Sequence, residues 1–269
     1  MSIYCLELRN IRKSATIGTI CICAIFVLLL GFFPSMQTES MKALTGTKLE
    51  SIDPAVLAAL GISELMDFTV ITNFFGYVLQ FITLAIMVMV TQQAVSLFIK
   101  EETDGTIEYL GAKPVSRADI FIQKVLAHLT VFVLMVVCYA AVTVTGYVLF
   151  GKYNLGAAIK EAAIFFGAIF FVGLVFSALG VLLSTLLKSN RGAAGITIAI
   201  VFGTFLFGIL SALIKELDFL IWFSPMDWIK AKKLLNEGIL TQEWLIGIVV
   251  ITGCISAAWL RYRKKDLLI

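Results

Sequence analysis

The chain has 269 residues, 60% of them hydrophobic and only 14% charged, with a mean hydropathy of +0.98. Soluble domains are about half apolar and about a quarter charged, so soluble, disordered and secreted classes are excluded. The net charge of +3 is too small to point to nucleic acid.

The placement of the charges is more informative than their number. They leave six long charge-free runs, at residues 14–38, 68–99, 125–151, 162–187, 192–214 and 244–260. A helix rises about 1.5 Å per residue, so about 20 residues cross the hydrocarbon layer. The fold expected is an all-α polytopic membrane protein: one transmembrane domain over residues 1–269, with spans at about 14–34, 69–99, 124–150, 162–187, 192–214 and 244–261. Thirteen Lys and Arg flank one side of these spans and eight the other. The positive-inside bias then predicts a multi-pass protein of the cell membrane with both termini in the cytoplasm.

In chain order, the first run follows a basic start, lacks a small-x-small cleavage site after Phe33, and reads as an uncleaved span. The outer loop from Pro34 to Asp67 contains Asp53-Pro54 and Gly61 around an apolar stretch, which predicts a short surface helix. In the second run Asn73, Gly76, Gln80, Thr83, Met87 and Thr91 recur at helical spacing, giving a small or polar stripe on an apolar helix. Such a stripe either packs against a neighbouring helix or lines a translocation path.

Residues 101–117, EETDGTIEYLGAKPVSR, follow. Glu101, Asp104 and Glu108 fall on one helical face, Gly111 and Pro114 stop the helix, and Ser116 to Asp119 resembles a capping box opening the third span. The prediction is a helix-turn-helix elbow against the inner leaflet. That leaflet is anionic, so Glu101, Glu102, Asp104 and Glu108 suit a protein partner better than lipid.

The third and fourth spans are joined by about ten residues and the fourth and fifth by Lys188 to Arg191, predicting antiparallel neighbours. Gly173, Ser177, Gly180 and Ser184 in the fourth span, and Gly195, Ala199 and Gly203 in the fifth, read as packing seams. From Lys215 to Glu243 the chain is amphipathic, with a helix expected from Ser224-Pro225 to near Gly238, and with Trp222, Trp228 and Trp244 at the membrane boundary.

Within the charge-free runs no Asp, Glu, Lys or Arg stands at mid-membrane, where ion-driven carriers keep such residues. His128 reads as an interfacial or hydrogen-bonded helix residue. Ser177 and Ser211 lack the glycine-flanked turn and facing histidine of an intramembrane serine protease. The five cysteines, Cys5, Cys21, Cys23, Cys138 and Cys254, are scattered and imply neither disulfides nor zinc. No catalytic, cofactor-binding or metal-binding residue is therefore assigned, and a driving force has to come from elsewhere.

Glu101, Glu102, Gly105, Thr106, Ile107, Glu108, Pro114, Val115, Ser116, Arg117 and Lys124 form a pattern that resembles the membrane permeases of type-2 ATP-binding-cassette (ABC) transporters, many of them exporters. The six-span outline, the basic start, Ser224-Pro225 and the basic end at Arg261 to Asp266 extend the resemblance; Lys113 departs from it.

The resemblance implies that Glu101, Glu102, Asp104, Gly105, Thr106, Glu108, Pro114, Ser116 and Arg117 couple to soluble ABC ATPase subunits. It also implies that two permease copies face each other, with the stripe from Asn73 to Thr91 along the path. No phosphate-binding G-x-x-x-x-G-K-[ST] loop is present, so ATP and Mg are expected on the partner ATPase. The expectation is a permease subunit rather than an enzyme. A non-transporting assembly or immunity factor and an ion-coupled carrier are the alternatives.

Overall fold

The structure, a computed structural model, describes residues 3–38, 68–103, 115–187 and 192–264, apart from the side chains of 101–103 and 232. The expected surface helix at 54–60 and the elbow turn at Gly111 and Pro114 lie outside the described residues. Six helices are long and apolar enough to cross a membrane: α1 (Ile3–Met36), α2 (Ile71–Thr103), α3 (Arg117–Gly151), α4 (Leu155–Leu186), α5 (Ala193–Leu213) and, after a short α6 (Ala231–Asn236), α7 (Thr241–Lys264). The described residues contain no strand.

Several helices run past the charge-free runs. α1 begins at Ile3 rather than near 14, so Glu7, Arg9, Arg12 and Lys13 are helical. α4 begins at Leu155 rather than 162, because Asn154 caps it by accepting from the Gly156 amide at 2.8 Å. A charge ends a run but does not end a helix, since a long side chain at a helix end extends its head group toward water.

The helices pair mostly with others running the same way. α1 packs most extensively on α3, and α2 on α4, which in turn carries α7. α2 and α4 are the most deeply buried spans, and α5 and α7 the least. An aromatic centre holds the layers together: Phe26 meets Phe75, Tyr139 and Phe166, and Phe75 meets Tyr147 and Phe165.

The fourth-span seam is real. Phe132 of α3 lies over Gly173, and a Cβ on Gly180 would stand 2.9 Å from the Thr91 carbonyl oxygen of α2. α3 and α4 are antiparallel neighbours, as expected. α4 and α5 are not: α5 leaves α4 after its first turn and packs on α2, with Ala193 against Val95 and Ile99, and Thr197 and Val201 buried one and two turns on. Gly195 and Gly203, by contrast, face open space. The fifth-span small residues thus form no seam within the protomer.

Between α5 and α7 the chain departs from the single helix expected after Ser224-Pro225. It forms two 3-10 stretches, Lys215–Phe223 and Asp227–Ile229, and then the two-turn α6, which is followed by Gly238 at φ 70°. Trp222 and Trp244 are about 40% exposed, but Trp228 is buried, within 6.3 Å of the Phe171 ring. Burial of Trp228, Met226, Ile229 and Leu234 favours insertion into the bundle over lying flat on the lipid.

Candidate coupling and path-lining sites

The end of the bundle that carries Ile3 and Lys264 is where the elbow leaves and re-enters. Glu101 and Glu102 lie in the last turn of α2. Asp104, Gly105, Thr106, Glu108 and Pro114 fall outside the described residues. Re-entry is well defined. Ser116 caps α3 by accepting from the Asp119 amide at 3.1 Å, while the Ser116 amide donates to Asp119 Oδ2 at 3.3 Å, completing the expected capping box. Arg117 donates from Nη1 to the Arg263 carbonyl at 3.3 Å, joining the start of α3 to the end of α7.

Just inside this rim lies a cluster drawn from five helices. The Phe98 ring stacks on Phe121 at 5.2 Å and lies 4.8 Å from Tyr262, and Trp259 meets Phe121 edge-on. Ile3 and Val181 complete it. Lys124 is buried beside this cluster, 1% exposed at its side chain. Its Nζ pairs with Glu7 Oε1 at 2.8 Å, donates to the Leu97 carbonyl at 2.6 Å and lies 5.4 Å from the centre of the Phe98 ring. Nearby, the Tyr4 amide donates to Gln123 Oε1 at 3.1 Å.

Glu7 and Lys124, both outside the charge-free runs, form a buried charge pair between α1 and α3. Taking two charges out of water is costly unless each is paired and hydrogen-bonded; the carbonyl of Leu97 supplies the second acceptor.

One turn further in, His128 is fully buried and its Nε2 is 3.0 Å from Ser177 Oγ of α4, as expected of a hydrogen-bonded helix residue. Ser177 therefore does have a histidine on a facing helix, contrary to expectation. It nevertheless sits mid-helix and 4% exposed, where it cannot present its hydroxyl to a substrate. Among the described residues, no group of three or more His, Cys, Asp and Glu could hold a metal.

The stripe on α2 faces the bundle interior. Gly76 lies against Ala231 of α6, and Gln80 borders a small cavity of about 20 Å³ together with Phe205 and Ile209 of α5 and Met226, Asp227 and Lys230 of the segment between α5 and α7. Thr83, Met87 and Thr91 are fully buried. The two threonine hydroxyls donate to their own helix, to the carbonyls of Leu79 at 2.7 Å and Met87 at 2.6 Å. Asn73 and Gln80 remain partly exposed. Both hydroxyls are thus satisfied within their own helix.

At the far end of the bundle, Thr72 Oγ1 donates to Glu161 Oε2 at 2.7 Å and lies 2.9 Å from Tyr153 Oη, tying the start of α2 to the α3–α4 turn and to the second turn of α4. Asp227 pairs with Lys230 and Lys233 with Glu243, fastening the segment between α5 and α7 to itself and to α7.

Among the described residues, six helices are long and apolar enough to cross a membrane, and the α2 stripe is turned into their bundle. The chain belongs to the ABC-2 family transporter proteins, whose family pattern it matches over residues 1–267. No curated relative matches it. It is accordingly a multi-pass membrane component of an ABC transporter.

Proposed function

We propose that the chain is the permease subunit of an ATP-driven exporter, working as a homodimer with two soluble ATPase subunits that dock on the elbow between α2 and α3 from the cytoplasm. The family match over nearly the whole chain carries this reading. The anchoring of both elbow flanks in one buried cluster supports it, because a push on the elbow would be delivered to the bundle rather than absorbed by a loose turn.

The outward face of α5, where Gly195, Ala199 and Gly203 stand open, is the surface for the second copy, since small residues let helices approach closely in lipid. The path then forms between the copies, with the α2 stripe reached once the outer segment and α5 shift. ATP and Mg reside on the partner ATPase.

Replacing Glu101, Glu102 and Glu108 together with Lys is expected to abolish co-purification of the ATPase while the chain still inserts. Retention of the ATPase would refute the docking site. Oxidative cross-linking through Ala199→Cys, in a background without native cysteines, should yield a covalent dimer; a monomer only would remove α5 from the interface. A complex that turns over ATP without moving any substrate would favour an assembly or immunity role.

A further inference from the structure

We infer that Lys124 is a positioning residue that locks the first helix to the two flanks of the elbow, so that α1 is carried along whenever the elbow moves. The inference rests on the proposed coupling to an ATPase and adds to it the element through which α1 takes part. Three contacts place Lys124 at the junction: Glu7 of α1 at 2.8 Å, the Leu97 carbonyl of α2 at 2.6 Å, and the Phe98 ring. Lys124 itself lies on α3, two turns after the capping box. One ammonium therefore bridges the helix that enters the elbow, the helix that leaves it, and a third helix that is far from both in sequence.

The chemistry suits this task better than an apolar contact would. An ammonium with two oxygen partners fixes register along each helix, whereas apolar side chains tolerate sliding. A Leu97 carbonyl that accepts from Lys124 also marks a defined level of α2, one turn before Glu101. Separating Lys124 from Glu7 leaves charge stranded away from water, so the pair resists parting. Tyr4 and Gln123 reinforce the same α1–α3 contact. α1 packs chiefly on α3 and far less on α2, so the Lys124 contacts add a link from the α1–α3 pair to the α2 side of the elbow.

The test uses the complex purified from native membranes through this chain, with native cysteines removed and spin labels at Arg9→Cys on α1 and Ile122→Cys on α3, both exposed positions. A second label pair at Ala199→Cys reports between the two copies. In the unaltered background, Mg–ATP with vanadate should change the Ala199 distance and leave the Arg9–Ile122 distance fixed. With Lys124→Met, the Arg9–Ile122 distance should become nucleotide-dependent, shifting by more than about 2 Å, the scale of an interface helix shift.

Lys124→Arg should largely retain the lock. If Lys124→Met does not fold, Glu7→Leu with Lys124→Met removes both buried charges and should release the lock in the same way. A merely structural role would lower stability without making this distance depend on nucleotide. An Arg9–Ile122 distance that stays fixed in these variants, while Ala199 responds, overturns this inference alone. No nucleotide response at Ala199 in the unaltered complex overturns the coupling reading and this inference with it.

Discussion

Alanine introduced at Gly180 should destabilise the protein, whereas alanine at Gly167 of the same helix should not. A Cβ at position 180 would lie 2.7 Å from Ala94 Cβ, 2.9 Å from the Thr91 carbonyl oxygen and 3.3 Å from the Val95 amide nitrogen, while at 167 it meets nothing within 4 Å. Carbon contacts settle at about 3.5–4.0 Å, so α2 and α4 would have to part by about 1 Å, and their shared surface would lose about a quarter to a half of its dispersion energy wherever that gap opens. Overpacking of this kind costs about 1–3 kcal/mol.

Both substitutions gain up to about 1 kcal/mol of helix propensity. That gain cancels in the comparison, so Gly180→Ala should fall below Gly167→Ala by about 1–3 kcal/mol. Thermal midpoints of the two purified variants at one scan rate are the appropriate assay, because membrane-protein unfolding is commonly irreversible. Equal midpoints, or a higher one for Gly180→Ala, would refute the claim that α2 and α4 touch backbone to backbone at Gly180.

Ser116→Ala removes the acceptor for the Asp119 amide and should cost about 0.5–2 kcal/mol, seen as faster hydrogen exchange at residues 117–120 with exchange deep in α3 unchanged. Ser177→Ala should cost about 1 kcal/mol, within the range of interhelical hydrogen bonds in membranes, and the cost should vanish in a His128→Leu background when the two are compared in a double-mutant cycle. Lys152 closes α3 in the left-handed region, at φ 53°, a conformation that costs a side-chain-bearing residue about 1–2 kcal/mol; Lys152→Gly should therefore raise the melting midpoint, and a lower midpoint would show that the lysine side chain does more than tolerate the turn.

The spans were legible because the bilayer imposes one simple rule, that roughly 20 residues pass without charge. Their ends were less so. Asn154 is an N-cap signal that places the start of α4 at Leu155, but Lys160 and Glu161 obscure it when the helix is traced by hydropathy alone. The capping box at Ser116 and Asp119 was legible because its donors and acceptors are three residues apart and need no tertiary knowledge.

Glu7 was harder. It continues the buried face of Ile3, Ala15, Ile22, Phe26, Leu30 and Phe33, yet its partner Lys124 is 117 residues away, and no local pattern links them. The partner of α5 was missed for a similar reason. A four-residue link constrains where α5 starts; the side chains of Ala193, Thr197 and Val201 decide what it follows, and they follow α2. The α2 stripe was found by spacing, but the same spacing serves packing and passage alike, and its buried, self-bonded threonines answer to packing in this arrangement.

The attachment of α5 has a mechanical consequence. A rod pinned along one thin edge can turn about that edge, but its far end is held: Gly208 lies against Asp227 and Ser224, and Ser211 Oγ donates to the Asp218 carbonyl at 3.5 Å, so the 3-10 stretches must move with it. Its bare glycines, Gly195 and Gly203, lie on the side away from that edge and would travel furthest as it turned. With α7, it is the crossing that the rest of the molecule buries least.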